Sequence, residues 1–320
     1  MNTAGKITSF AAALAVSFGA AYGLGNTVGP LGGTDPAPGA DHVTSAVPEG
    51  GGDGGDHVES PAGGLQISEA GYTLDLLTPR LRAAQESELR FAVRDGSGRP
   101  VTAYQREHDK ELHLILASRD LATYRHLHPT RAADGTWSTP VTLPAAGDYR
   151  VFADFTPGAK NSPDLTLGTD LAVAGAYRPA ELPEPSRTAT VDGYTVTLNG
   201  NLRPGAAGDL TFGVSRAGRA VTDLQPYLGA YGHLVALRAG DLAYLHVHPD
   251  GEAGDGGTEP GPEVSFTATA PSSGTYRLFL DFRHNGTVRT AVLTVRAGAS
   301  ATAPQPAEPT SGHEEGGHGH

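Results

Sequence analysis

The sequence predicts an all-β fold built twice, and three observations predict it. A histidine-bearing motif occurs in two copies. The residues around it repeat in step. Each copy is a series of short apolar runs broken by Gly, Pro, Asn and Asp, without helical periodicity. Residues 112–129 read Leu-His-Leu-Ile-Leu-Ala-Ser-Arg-Asp-Leu-Ala-Thr-Tyr-Arg-His-Leu-His-Pro, and residues 232–249 read Gly-His-Leu-Val-Ala-Leu-Arg-Ala-Gly-Asp-Leu-Ala-Tyr-Leu-His-Val-His-Pro. His113, His126 and His128 recur as His233, His246 and His248, each displaced by 120 residues, so six of the thirteen histidines stand in two matching frames. The likeness extends outward: Gly71-Tyr-Thr-Leu-Asp-Leu answers Gly193-Tyr-Thr-Val-Thr-Leu, and Gly147-Asp-Tyr-Arg-Val-Phe-Ala-Asp-Phe answers Gly274-Thr-Tyr-Arg-Leu-Phe-Leu-Asp-Phe.

Residues 1–25 read as a signal peptide or an uncleaved membrane anchor. Lys6 precedes an uncharged, mildly apolar run from Ile7 to Leu24, a length on the border between a signal core and a spanning helix. Either reading places both repeats outside the cytoplasmic membrane. Residues 26–64 are rich in Gly, Pro, Asp and Ala and have almost no large apolar side chains. Burial there cannot offset ordering entropy, so a disordered tether is expected.

The first repeat, residues 65–175, carries strand-like runs at Tyr72–Leu77, Glu88–Arg94, Leu112–Ala117, Ala122–His128, Thr136–Leu143, Tyr149–Phe155 and Leu165–Val173. Residues 176–187, with three prolines, read as a linker. The second repeat, residues 188–297, gives the same series and ends in Arg289–Val295. This strand density is that of an Ig-like sandwich, and Gly147-Asp-Tyr149 and Gly274-Thr-Tyr276 resemble its tyrosine corner. A cupredoxin-like sandwich has similar strands and stays open at this point. Residues 298–320 form a second disordered segment ending in His313, His318 and His320, an arrangement that chelates metals loosely; His42 and His57 have no partner pattern.

Composition narrows the function classes. A net charge of −12 argues against nucleic acid and supplies no basic patch for anionic lipid, leaving the N-terminal segment as the one membrane contact. There is no cysteine, and the single methionine is Met1, so disulfides, thiolate sites and thioether ligation are absent. One apolar segment at most excludes a permease.

The motif folds naturally as a hairpin. With Arg119-Asp120 as a two-residue loop, His113 falls opposite His126; one residue more moves it toward His128. His126 and His128 share a face because residues i and i+2 point the same way. Cross-strand neighbours are close enough for two imidazoles to reach one ion. The second copy repeats this with His233, His246 and His248 around Ala239-Gly240. Three neutral imidazoles suit Cu²⁺ or Zn²⁺, and the affinity order favours copper. His108 precedes the first hairpin as a further candidate ligand. Asp154 and Asp281, in matching positions, are either carboxylate ligands, acceptors orienting an imidazole, or, as the plainer expectation, salt-bridge partners of Arg150 and Arg277. A structural histidine cluster is the alternative to a metal site, although three packed rings repel one another when protonated.

Glu107-His108, the hairpin, His126-Leu-His-Pro, Asp134-Gly-Thr-Trp137 and Ala146-Gly-Asp-Tyr-Arg-Val-Phe-Ala-Asp-Phe155 together resemble a family of exported actinobacterial two-repeat proteins described as heavy-metal-binding or copper-associated. The resemblance covers both repeats, and His-Leu-His-Pro is its most specific part. It implies an extracytoplasmic metal role. The second copy lacks the Glu-His pair and replaces Asp-Gly-Thr-Trp with an insertion at 250–262, which implies unequal sites. The expected function is capture or delivery of metal, without catalysis, with an exported or membrane metal-handling protein as partner. The alternative is a surface-tethered Ig-like interaction module whose histidines are structural.

Overall fold

The computed structural model describes residues 62–298 except His246. The expectations for the N-terminal segment, nearly all of the tether, the C-terminal segment and His246 lie outside the described residues, and of His248 only the backbone is described.

The first repeat contains β1 (Ser68–Glu69), β2 (Tyr72–Leu76), β3 (Arg80–Arg82), β4 (Ser87–Arg94), β5 (His113–Ser118), β6 (Tyr124–Leu127), β7 (Thr130–Arg131), β8 (Thr136–Val141), β9 (Gly147–Phe155) and β10 (Leu165–Ala174). The second contains β11 (Thr188–Val191), β12 (Tyr194–Gly200), β13 (Ala207–Arg216), β14 (Arg219–Ala220), β15 (Gly232–Arg238), β16 (Tyr244–Leu245), β17 (Val247–Pro249), β18 (Glu263–Thr269), β19 (Gly274–His284) and β20 (Thr287–Ala297). No helix occurs among the described residues. In the first repeat the sheet β1-β2-β4-β8-β7 packs on β3-β10-β9-β5-β6; in the second, β11-β12-β13-β18-β17 packs on β16-β15-β19-β20. These are two Ig-like sandwiches. The tyrosine corners are made: Tyr149 Oη donates to the Ala145 carbonyl at 2.9 Å, and Tyr276 Oη to the Ser272 carbonyl at 2.8 Å.

The two repeats belong to one compact unit, and the alternation of their inner strands explains why. Strand β5, His-Leu-Ile-Leu-Ala-Ser, is buried at every position. A strand covered on both faces has no need of polar alternation. Leu114 and Leu116 enter the core of their own sandwich, whereas Ile115 and Ala117 enter a third cluster that also takes Val235, Leu237 and Phe279 from the second repeat. The partner strand divides identically: Leu234 and Ala236 face inward, Val235 and Leu237 face the other repeat. Tyr124 stacks on Phe279 with ring centroids 4.1 Å apart, and Phe152 meets Tyr244 at 5.6 Å. Leu182 of the linker packs against this inter-repeat cluster.

Parity then places the polar residues. His113 has the parity of Ile115, and His233 that of Val235, so both point to the face between the repeats. His126 lies opposite Ile115, Asp154 opposite His113, and Asp281 opposite His233. The same two-residue period that builds the junction brings these groups to it.

Candidate metal centre between the repeats

The hairpin differs from the two-residue loop expected. Ala117 pairs with Tyr124, and the Ser118 N–H donates to the Thr123 carbonyl at 2.9 Å, which leaves a longer loop around Asp120 and Leu121. Asp120 shapes that loop: its Oδ1 accepts from Ser118 Oγ at 2.6 Å and from the Ala122 N–H at 3.1 Å. The register therefore brings Ile115, not His113, opposite His126 and sets His113 in step with His128. The three rings nonetheless converge. His113, His126 and His128 each offer a nitrogen within 4.8 Å of the others.

The hydrogen bonds around these rings assign their protons. His113 Nε2 lies 3.3 Å from the Glu107 carbonyl, which can only accept, so Nε2 carries the hydrogen and Nδ1 is bare. His126 Nδ1 lies 2.9 Å from Asp281 Oδ2, which likewise accepts, so in the neutral ring Nε2 is bare. His113 Nδ1 and His126 Nε2 face each other at 3.1 Å. Two lone pairs at that distance repel unless a proton or a metal ion lies between them. Ligands held by one ion at about 2.0–2.1 Å stand about 2.8–3.4 Å apart for bond angles between square and tetrahedral, a range that holds the observed gap. His128 Nε2 is buried with no hydrogen-bond partner, the kind of orphan that calls for a ligand. The ring centroids are 5.3 Å (His113–His126), 5.3 Å (His113–His128) and 4.9 Å (His126–His128) apart, against about 5 Å for imidazoles sharing one ion at that bond length.

Electrostatics keeps the rings ready to bind. Burial first, and then the neighbouring His126 and His233, push the His113 pKa down to about 2. Burial and His126 bring His128 to about 3, and burial brings His233 to about 4. These rings are neutral at any physiological pH. In the unfolded chain they titrate near the ordinary 6.5, so between about pH 6.5 and 4 the unfolded state holds more protons. Stability of the metal-free chain is expected to fall as pH falls through that window, His113 alone contributing up to about 1.4 kcal/mol per pH unit. Urea midpoints measured from pH 7.5 to 4 check this; a flat profile would mean that the folded rings still take up protons.

The second repeat completes the surroundings. The Asp281 side chain is 3% exposed and binds His126 across the junction; Thr290 Oγ1 donates to its other oxygen at 2.5 Å. The salt bridge expected with Arg277 is not made, since Arg277 donates instead to Thr294 Oγ1 at 2.7 Å. Arg150 pairs with Asp170 at 2.8 Å rather than Asp154, which accepts from Thr166 Oγ1 at 2.8 Å and from the Tyr244 phenol of the other repeat at 3.4 Å. His233 donates Nε2–H to the Leu228 carbonyl at 3.0 Å, and its ring stands 6.0 Å from His113 and 6.1 Å from His126. It thus stands beside the first triplet rather than in a remote site of its own. His108 is exposed, 6.2 Å from the His113 ring. Tyr227, which no histidine spacing pointed to, lies edge-on to His128 and His233 at 6.1 and 6.0 Å, its pKa raised to about 12 by burial and by Asp281.

A family model described as a domain of unknown function (DUF8832) matches residues 67–163 and again 189–299. No curated protein matches the chain in sequence. Among solved structures, the FdeC adhesin of Escherichia coli is 19% identical, with 72% of this chain and 65% of that chain covered and a TM-score of 0.23. InvD of Yersinia pseudotuberculosis is 16% identical over 75% of this chain and 62% of its own, with a TM-score of 0.24. The adhesin InvE of the same organism is 13% identical over 72% and 60%, with a TM-score of 0.22. The chain spans less than two thirds of the length of each, and at these scores the similarity assigns no activity to it.

Proposed function

The chain belongs to the DUF8832 family in both of its repeats, and from that premise we propose that it is an extracytoplasmic metal-binding protein that holds Cu²⁺ or Zn²⁺ at the junction of two Ig-like sandwiches. The observation that carries this reading is the pair of bare nitrogens, His113 Nδ1 and His126 Nε2, facing at 3.1 Å beside the unpartnered Nε2 of His128. His113, His126 and His128 would hold the ion, and Asp281 would orient His126. Copper is favoured because Cu²⁺ heads the divalent series for nitrogen ligands. The uncharged segment Ile7–Leu24 supports export or anchoring, and the task is capture of the ion or its delivery to an exported or membrane metal-handling protein.

Calorimetric titration of the full chain with Cu²⁺ and Zn²⁺ tests this. One tight equivalent per chain is expected, absent from a His126→Ala/His128→Ala variant; heat that is weak and equal in both would belong to the C-terminal histidines and would sink the reading. Asp281→Asn is expected to lower affinity by about 10–100-fold while leaving all three ligands in place, as loss of a partner that orients a ligating imidazole does. Unchanged affinity in that variant would remove Asp281 from the centre.

A second reading is favoured by one observation, the buried His126–Asp281 pair that joins the repeats. If His126 is an imidazolium, its Nε2–H donates to His113 Nδ1, and the cluster is a polar lock in a surface-tethered interaction module. Proton-coupled nitrogen spectra of the His126 ring separate the two: two ring protons that chelator and metal leave unchanged favour the lock.

A further inference from the structure

A cavity of about 500 Å³ opens onto the histidines, and His108, His113, His126 and His233 all line it. Its wall carries five carboxylates, Glu107 and Glu252 among them, against two cationic side chains, Arg106 and Lys110. Such a wall concentrates cations in front of the neutral rings. His108 stands on this route in an unusual backbone state. It sits at φ 48° in a tight turn closed by Glu107 and Lys110, whose N–H groups donate to each other's carbonyls at 2.8 and 2.9 Å. The second repeat makes the same turn at Tyr227–Ala230, with Leu228 at φ 56° and Gly229 at φ 76°. There the side chain is a buried leucine; here it is an exposed histidine. The left-handed state belongs to the turn in both copies, and only the first copy presents an exposed imidazole from it.

The His108 ring meets that of His233 edge-on, with centroids 4.8 Å apart and planes at 88°. This is the spacing found within the triad. The Leu228 carbonyl holds Nε2–H of His233 and leaves its Nδ1 bare. His233 is thus the intermediate ring, touching exposed His108 on one side and lying about one ångström farther from His113 and His126 than the triad members lie from one another.

We propose that His108 and His233 form an outer, weaker position for a nitrogen-preferring divalent cation at the mouth of the cavity, from which the ion passes inward to His113, His126 and His128. The transfer exchanges one imidazole nitrogen for another on the same ion, so no electron or proton has to move. Stepwise exchange keeps the ion partly coordinated while its water is stripped, which a direct jump into the buried triad would not. This inference rests on the metal reading of the triad.

The experiment is stopped-flow capture of Cu²⁺ by the full chain, read by quenching of Trp137, the one tryptophan, which lines the same surface cleft as His128. The variant is His108→Asn, since asparagine tolerates the left-handed turn and removes the imidazole. Capture is expected to slow about tenfold, the change that a barrier raised by about 1.4 kcal/mol produces. Release into excess chelator is expected to slow by the same factor, because an outer position alters the path and not the end point. Unchanged rates with tight binding retained would overturn the outer position and spare the triad. Faster release with unchanged capture would overturn it too, making His108 a ligand of the inner ion. Wild-type chain that captures no Cu²⁺ would remove both readings together.

Discussion

His128→Ala is expected to lower affinity for Cu²⁺ or Zn²⁺ by more than about 100-fold, beyond the upper range for losing a partner that only orients a ligand, while leaving the stability of the metal-free chain nearly unchanged. The second half of that expectation is the diagnostic one. His128 Nε2 has no hydrogen-bond partner in the folded chain, so its removal breaks no bond and relieves a desolvated polar atom. The lost packing of the ring offsets part of that relief. His126→Ala should abolish binding as well, but with the opposite structural outcome. It leaves Oδ2 of the Asp281 carboxylate, 3% exposed, without its donor, and an unsatisfied buried charged acceptor costs more than the roughly 1–3 kcal/mol of a neutral group. Calorimetric titration and urea denaturation of the two variants, side by side, check this. Should His128→Ala destabilise the metal-free chain as much as His126→Ala does, His128 is a structural residue and the triad is not a binding site.

Phe279→Ala is expected to destabilise the chain by about 3–5 kcal/mol, the usual range for a buried phenylalanine. Its ring is 1% exposed and stacks on Tyr124 of the other repeat at an interplanar angle of 7°. The side chain lies outside both sandwich cores and inside the cluster between them. Its loss should therefore weaken the junction more than either fold. A single thermal transition is expected for the wild-type chain and two for the variant. Affinity for the ion should drop as well, because Asp281 stands two residues along the same strand and reaches His126 only while the sheets stay packed. One intact transition with unchanged affinity would show that neither the junction nor the site depends on Phe279.

Much of the architecture is legible in the chain itself. Period-two runs and turn residues mark strands such as Glu88–Arg94 and Tyr149–Phe155 close to their observed limits, because a half-buried strand must alternate and a turn needs Gly, Pro or Asn. Gly147 and Tyr149 announce a tyrosine corner because that hydrogen bond is local, spanning four residues. His126 and His128 must share a face for the same local reason. The loop around Asp120 is not legible, since Ser118, Arg119 and Asp120 suit a short turn as well as the longer one formed, and only the bonds that the Asp120 carboxylate accepts from Ser118 Oγ and the Ala122 N–H select it.

What the sequence determined by itself is the duplication, the two all-β domains and the shared parity of His113, Ile115 and Ala117, all of which depend on neighbours a few residues away. The unbroken apolar run of β5 even signals that both of its faces are covered. What covers the second face is a question that spacing along the chain does not answer. Only tertiary packing puts Asp281 against His126 across 155 residues, gives Arg150 and Arg277 other partners, and brings His233 to the first triplet rather than to a distant site of its own. The reason is physical: strand periodicity dictates which way a side chain points, but the identity of its partner depends on which apolar surface the sandwich buries against, and that choice is made by the whole face at once.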